Sequence, residues 1–122
     1  MKIAFVTQAS HPEMEDDDRP LAEALARRGA LVLSASWDDI DIDWAVVDVV
    51  LLRSTWDYHM RLKEFLTWLG RVERVARVVN PPDKVRWNIN KRYLDALSAK
   101  GIHAVPTTFV KQHEPAILAN VC

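Results

Sequence analysis

The apolar run Val49-Val50-Leu51-Leu52 stops at Arg53-Ser54-Thr55-Trp56-Asp57-Tyr58-His59 with no glycine or proline to mark a turn. The side chains after the break are those that recognise small polar molecules. Arginine offers a planar fork to a carboxylate or phosphate, the hydroxyls of Ser54 and Thr55 add orienting hydrogen bonds, and the Trp56 ring can cover a ligand. Asn80 follows a second short apolar run, Val78-Val79, and contributes an amide. In an open parallel sheet, ligands bind in the crevice outside the carboxyl ends of the strands. Arg53, Ser54, Thr55, Trp56 and Asn80 are therefore the candidate binding residues. A purely structural use of the same residues pairs Arg53 with Asp57 and plugs the sheet edge with Trp56.

For these side chains to share an edge, the chain must build strands and helices in alternation. Residues 2–7 form a continuous apolar run, as a strand covered on both faces requires. Residues 8–18 are a loop. Asp18 caps a helix with Pro20 in its first turn, Leu21, Ala22, Leu25 and Ala26 form its apolar stripe, and Gly29 closes it. Residues 31–36 are a second strand. The spacing of Asp39, Asp41 and Asp43 suggests a calcium loop, but Trp44 stands where the turn glycine belongs and Val50 where the bidentate glutamate belongs. A capped turn with Ile40, Ile42 and Trp44 packed inward fits better.

Residues 46–53 read as the third strand. Leu62, Phe65, Leu66, Leu69, Val72 and Val75 recur at helical intervals and predict a helix over about 59–76, within which Gly70 marks close packing or a bend. Residues 77–79 form a fourth strand, stopped by Asn80-Pro81-Pro82. Asp83 caps a short turn through Trp87, and a helix over about 90–100 ends at Gly101. Residues 102–105 are expected as a fifth strand containing His103 as a packed histidine, with a further extended piece at 107–110. The expected fold is α/β, a doubly wound, mainly parallel sheet of four or five strands with helices on both faces, over residues 1–110. Residues 111–122 are a tail.

At 122 residues, 49% hydrophobic and 27% charged, the chain has the composition of one soluble globular domain. It lacks the apolar run a membrane helix requires, and no membrane or nucleic-acid partner is expected; the cytoplasm is the default location. The single cysteine, Cys122, allows neither an internal disulfide nor a cysteine metal site. Residues 1–50 carry 11 acidic and 4 basic side chains, and residues 51–122 carry 6 acidic and 12 basic, so the second half is suited to meet an anion. With Gly29, Gly70 and Gly101 as its only glycines, no glycine loop can cradle phosphates. The histidines His11, His59, His103 and His113 show no metal spacing, and Ser54 lacks the nucleophile elbow of a hydrolase.

Four ordered segments, L-R-S-T-W-D-Y at 52–58, N-P-P at 80–82, V-R-W-N-I-N-K-R-Y-L at 85–94 and G-I-H-A-V-P-T-T at 101–108, resemble the N-terminal, pre-ATP-grasp domain of an ATP-grasp ligase. They are most similar to the branch containing the cycloserine-biosynthesis ligase, and more distantly to glutathione synthetase and D-alanine–D-alanine ligase. The resemblance implies activation of a carboxylate by ATP and magnesium as an acyl phosphate, which an amine then attacks. It places Lys91 at the ATP phosphates and Arg53, Ser54, Thr55 and Trp56 on the side of a small carboxylate or amine substrate. Asn90 stands where an aspartate is commoner in the family. The second lysine, the phosphate-covering loop and the magnesium ligands of such enzymes lie in two further lobes. The expectation is a substrate-side domain, catalytically incomplete by itself. One alternative is a free-standing, self-associating binding module, a possible homodimer, and another is a small enzyme acting alone at residues 53–59.

Overall fold

In β1 (Lys2–Thr7), every residue from Ile3 onward is buried, which explains why its apolar run is unbroken. In the computed structural model, which describes residues 1–110, the rest of the sheet grows outward from this strand. β1 pairs in parallel with β2 (Leu31–Ser36) on one side and with β3 (Val49–Leu52) on the other, and β3 pairs in parallel with β4 (Arg77–Val79). The order is β2-β1-β3-β4. The chain moves outward one way from β1, crosses back, and then moves outward the other way. Right-handed crossovers then put α1 (Arg19–Arg27) and α2 (Leu62–Val72) on opposite faces. Ala4, Val6, Val50 and Val78 pack with Phe65, Trp68, Leu69 and Val72 of α2, while Ile3 and Phe5, alternating with them, are buried on the other face. This is the doubly wound α/β fold expected from the sequence.

The contacts divide the chain into two units, Met1–Arg86 and Trp87–Cys122. The sheet, α1 and α2 belong to the first. The helix α3 (Pro82–Ile89) straddles the division, and α4 (Tyr93–Ser98), shorter than the expected helix over about 90–100, belongs to the second; Gly101, in the turn that follows it, has φ +76°. No helix among the described residues is long and apolar enough to cross a membrane. The sheet has four strands, not five, among those residues. Residues 102–105 form no strand, Ile102, His103 and Val105 are exposed, and residues 107–110 form no regular element. An apolar run becomes a strand only where a neighbouring edge accepts its amides, and Pro106 removes one of them. The expected tail, 111–122, lies outside the described residues.

Other boundaries shift for local reasons. Trp44–Val46 is a 3-10 turn whose first amides are served by Asp43, which accepts from the Ala45 amide at 3.0 Å, so β3 begins only at Val49. Asp39 likewise accepts from the Asp41 amide at 2.9 Å. The capped turn is thus present, with Trp44 packed on the core, but Ile40 is 94% exposed rather than turned inward. α2 starts at Leu62 because Trp56–His59 forms a separate 3-10 turn. Asp83 lies inside the first turn of α3, which opens on Pro82, a residue preset for that position. On α1, Ala22 and Leu25 are half-buried, whereas Leu21 and Ala26 are exposed. Gly70 does not admit a close neighbour, since a Cβ there would meet nothing nearer than 3.9 Å.

The loops at the carboxyl ends of the strands are joined by one charged node. Arg61 donates to Asp38 after β2 and to Glu64 of α2 (2.6 Å), lies 3.7 Å from Asp57, and stacks 4.6 Å above the Trp37 ring centroid. Trp37 donates from Nε1 to Asp57 Oδ1 at 2.9 Å, and the Asp57 amide donates to Gln8 Oε1 at 2.8 Å after β1. Below the node, Trp37 packs on Phe65 and Trp68, and Trp44 and Tyr58 complete the aromatic group. Burial works against the charge on Asp38, but hydrogen bonds from Ser36 and Arg61 outweigh it and hold the carboxyl below the usual carboxylate range.

Because the native value of Asp38 lies below its unfolded value of about 3.9, its contribution is present above that pH and is lost as pH falls through the native value. Urea titrations from neutral to acid pH should show stability falling below about pH 4, and Asp38→Asn should flatten that limb while lowering stability at neutral pH. An unchanged limb would remove Asp38 from the acid response. Gly70→Ala should raise stability by about 0.5–1 kcal/mol. A loss in the same titration would show that α2 needs the glycine.

Candidate functional site

The direction of strand succession reverses between β1 and β3, and both strands end there in polar residues. Such a switch point leaves a crevice, because the loops leave the sheet toward opposite faces. β1 ends in Thr7 and is followed by Gln8, both buried. Thr7 Oγ1 and Ser34 Oγ donate to the Pro12 carbonyl at 3.2 and 2.6 Å, which pins the following loop across the ends of β1 and β2. Gln8 Nε2 donates to Ser10 Oγ at 2.9 Å. The loop borders an open hollow of about 390 Å³ lined by His11, Glu13, Glu15, Asp16 and Arg19.

After β3 the ladder ends because the amides of Arg53 and Ser54 both donate to the Val6 carbonyl, each at 3.1 Å. Two successive amides on one acceptor break the alternation of the strand, so no glycine or proline is needed. Arg53 then turns to Asp18, 35 residues earlier, donating from Nε at 2.7 Å and also from Nη2. The expected alternatives for Arg53 and Trp56 are both corrected here. Asp57 is taken by Trp37 and Arg61 rather than by Arg53, and Trp56 is 54% exposed rather than a plug. Asp18 occupies the position before α1, but its side chain makes no cap bond; its bonds go to Arg53. That hydrogen bond, opposed by partial burial, raises the Arg53 pKa further above its already high ordinary value, so the group is charged at every relevant pH.

Of the other candidates, Ser54 and Thr55 are buried at 3% and 8% exposure, which leaves them little surface for a ligand. Trp56 faces out, with the His11 ring edge-on at 6.2 Å and its own carbonyl 2.8 Å from His59 Nδ1. Asn80 follows β4 with φ +55°, a left-handed conformation that asparagine tolerates better than most residues. Leu51 is level with Val79 in the sheet, which puts Asn80 on the same carboxyl edge as Arg53. Arg53, Ser54, Thr55, Trp56 and Asn80 therefore share one edge.

Lys91 belongs to the second unit. It is exposed in the turn between α3 and α4, its Nζ 5.5 Å from the Tyr93 ring centroid, and Tyr93 in turn packs on Trp87 with centroids 4.9 Å apart. Three residues at the edge of the first unit were not singled out from sequence. Gln8, His11 and Arg61 act through partners 49, 45 and 23 positions away, Asp57, Trp56 and Asp38, and carry no local motif. The edge can bind and orient a polar ligand. Ser10 Oγ lies 3.4 Å from His11 Nδ1 in the exposed loop after β1, and no group of three His, Cys, Asp or Glu side chains among the described residues could hold a metal.

A sequence family described as the N-terminal domain of D-cycloserine synthetase DcsG matches residues 3–80. The cycloserine biosynthesis protein DcsG of Streptomyces lavendulae is 37% identical over 117 residues, which is 96% of this chain and 39% of that protein. The crystal structure of D-cycloserine synthetase DcsG superposes with a TM-score of 0.80 at 37% identity, over 88% of this chain and 36% of the other. The chain thus spans less than two fifths of the length of each. The matched residues contain the whole sheet and the edge from Thr7 to Asn80, and on that ground the chain belongs to the family of D-cycloserine synthetase DcsG N-terminal domains.

Proposed function

We propose that this chain is the substrate-side domain of an ATP-dependent carboxylate–amine ligase of the ATP-grasp type. The observation that carries the proposal is the 37% identity, running over nearly the whole chain, to a cycloserine biosynthesis protein. The chemistry of that product agrees with it. The cycloserine ring contains an acyl–nitrogen bond, and closing it from an acyclic acid requires a carboxylate to be activated and attacked by a nitrogen. Activation as an acyl phosphate, with ADP as the leaving group, is what ATP supplies to such a step.

In this reading, Arg53 binds the substrate carboxylate. Trp56, exposed beside His11, shields it from water, and Asn80 supplies an amide on the same edge. Ser54 and Thr55, being buried, set the course of the backbone that carries Arg53 and Trp56. Lys91, exposed and cationic, suits contact with the ATP phosphates as a point charge. Among the described residues no group of three His, Cys, Asp or Glu side chains is placed to hold magnesium. In this reading the magnesium ligands and the completion of catalysis lie in the further lobes of an ATP-grasp ligase; the relatives are longer than the stretch this chain spans.

The test is the fate of ATP in the intact protein supplied with the ring-opened acid of D-cycloserine. Acid-dependent release of ADP and phosphate is expected, while AMP and pyrophosphate would exclude an acyl phosphate. Lys91→Ala should weaken ATP binding about tenfold, the worth of a contact to a charged group. Arg53→Ala should leave ATP binding unchanged and raise KM for the acid. The reverse pattern would exchange the two roles.

A further inference from the structure

Asp18 stands where a helix is normally capped by its own side chain, and its carboxylate is only 4% exposed. A buried charge must be matched, and the match is the guanidinium of Arg53 from the end of β3, whose side chain remains 42% exposed. The two donors used are Nε and Nη2, which form one edge of the guanidinium plane. Both converge on Asp18 Oδ1, which holds that edge of the group against the buried carboxylate. The end edge, Nη1 with the second hydrogen of Nη2, has no partner among the described residues and is oriented before any ligand arrives.

We infer that Asp18 is a positioning residue, which grips one edge of Arg53 so that the other edge receives the carboxylate of the substrate in a two-point contact. The inference rests on the ligase reading above. The pair Asp18–Arg53 is neutral, and the loop beside it carries Glu13, Glu15, Asp16 and Asp17. A planar monoanion therefore suits this edge better than a phosphate dianion, which would call for additional cations. The competing role for Asp18 is that of a clip, tying the loop before α1 to the end of β3 with no effect on how Arg53 meets a ligand.

Binding of D-serine, a three-carbon acid like the ring skeleton of cycloserine, and of D-serinamide, which lacks the carboxylate, is measured by chemical-shift titration of the intact protein. D-serine alone should bind through this edge. Asp18→Asn and Arg53→Ala should each weaken it about tenfold, and the double variant should be no weaker than Arg53→Ala. Full affinity in Asp18→Asn would make Asp18 a clip; that result, losses that add in the double variant, or equal binding of both probes would overturn the inference. Arg53→Lys, which keeps the ion pair but has no second edge, should lose the same tenfold; full affinity there would also overturn it, even if Asp18→Asn does not fold. ADP release reports separately on the ligase. Non-additive binding without ATP turnover would leave Asp18 in its role and remove the ligase reading, whereas ATP turnover with additive losses would do the opposite.

Discussion

Arg61 ties together the loop after β2, the turn after β3 and the start of α2 at the carboxyl edge of the sheet. Parallel strands deliver their polar ends to one edge but do nothing to hold the loops that follow. Here the loop after β2 supplies Asp38, the turn after β3 supplies Asp57, and α2 supplies Glu64, all to one guanidinium. The Trp37 ring underneath excludes water from one side of that guanidinium and uses its own Nε1–H on Asp57, and Asp57 reaches β1 through Gln8. Carboxylates so close together would repel if left alone. The cation between them makes their proximity stabilising, and removing it would leave half-buried charges unmatched.

The aromatic group below supplies the apolar counterpart of this node. Trp37, Trp44, Phe65, Trp68 and Tyr58 meet edge-on or tilted, as ring quadrupoles favour, and join the end of β2 to the start of α2. Four of the five tryptophans are accounted for in different ways. Trp37, Trp44 and Trp68 build this group, and Trp56 stays exposed beside the binding edge. A fixed edge is what a substrate-side domain requires, because orienting a carboxylate for attack depends on groups that do not reorganise when it binds. Arg53 meets that requirement through Asp18 rather than through its sequence neighbours.

The fold was legible where it depends on local pattern. The unbroken apolar run of β1, the helical spacing from Leu62, which the sequence carries on to Val75 although α2 ends at Val72, and the stop at Asn80-Pro81-Pro82 each report burial or backbone restriction within a few residues. The parallel, doubly wound arrangement followed from their alternation, and the edge from Arg53 to Trp56 was recognisable as polar residues ending a buried strand. The supposed strand at 102–105 was misread because its apolar residues carry no information about whether a partner edge exists. Ile40 was placed inward for a similar reason: alternation around Asp39, Asp41 and Asp43 indicates a turn but not which side chains the turn covers.

The partners of the charged residues were decided by tertiary structure alone. Asp57 lies four residues from Arg53 and was the natural partner by proximity, yet Arg53 reaches Asp18, 35 residues away, and Asp57 receives Trp37, 20 away. Sequence by itself determined which residues exist at the ends of β1, β3 and β4, because burial periodicity fixes where each strand stops. Only the folded chain determined who faces whom across those ends. Long-range pairing of charges depends on the order of strands and the paths of loops, which no local spacing encodes.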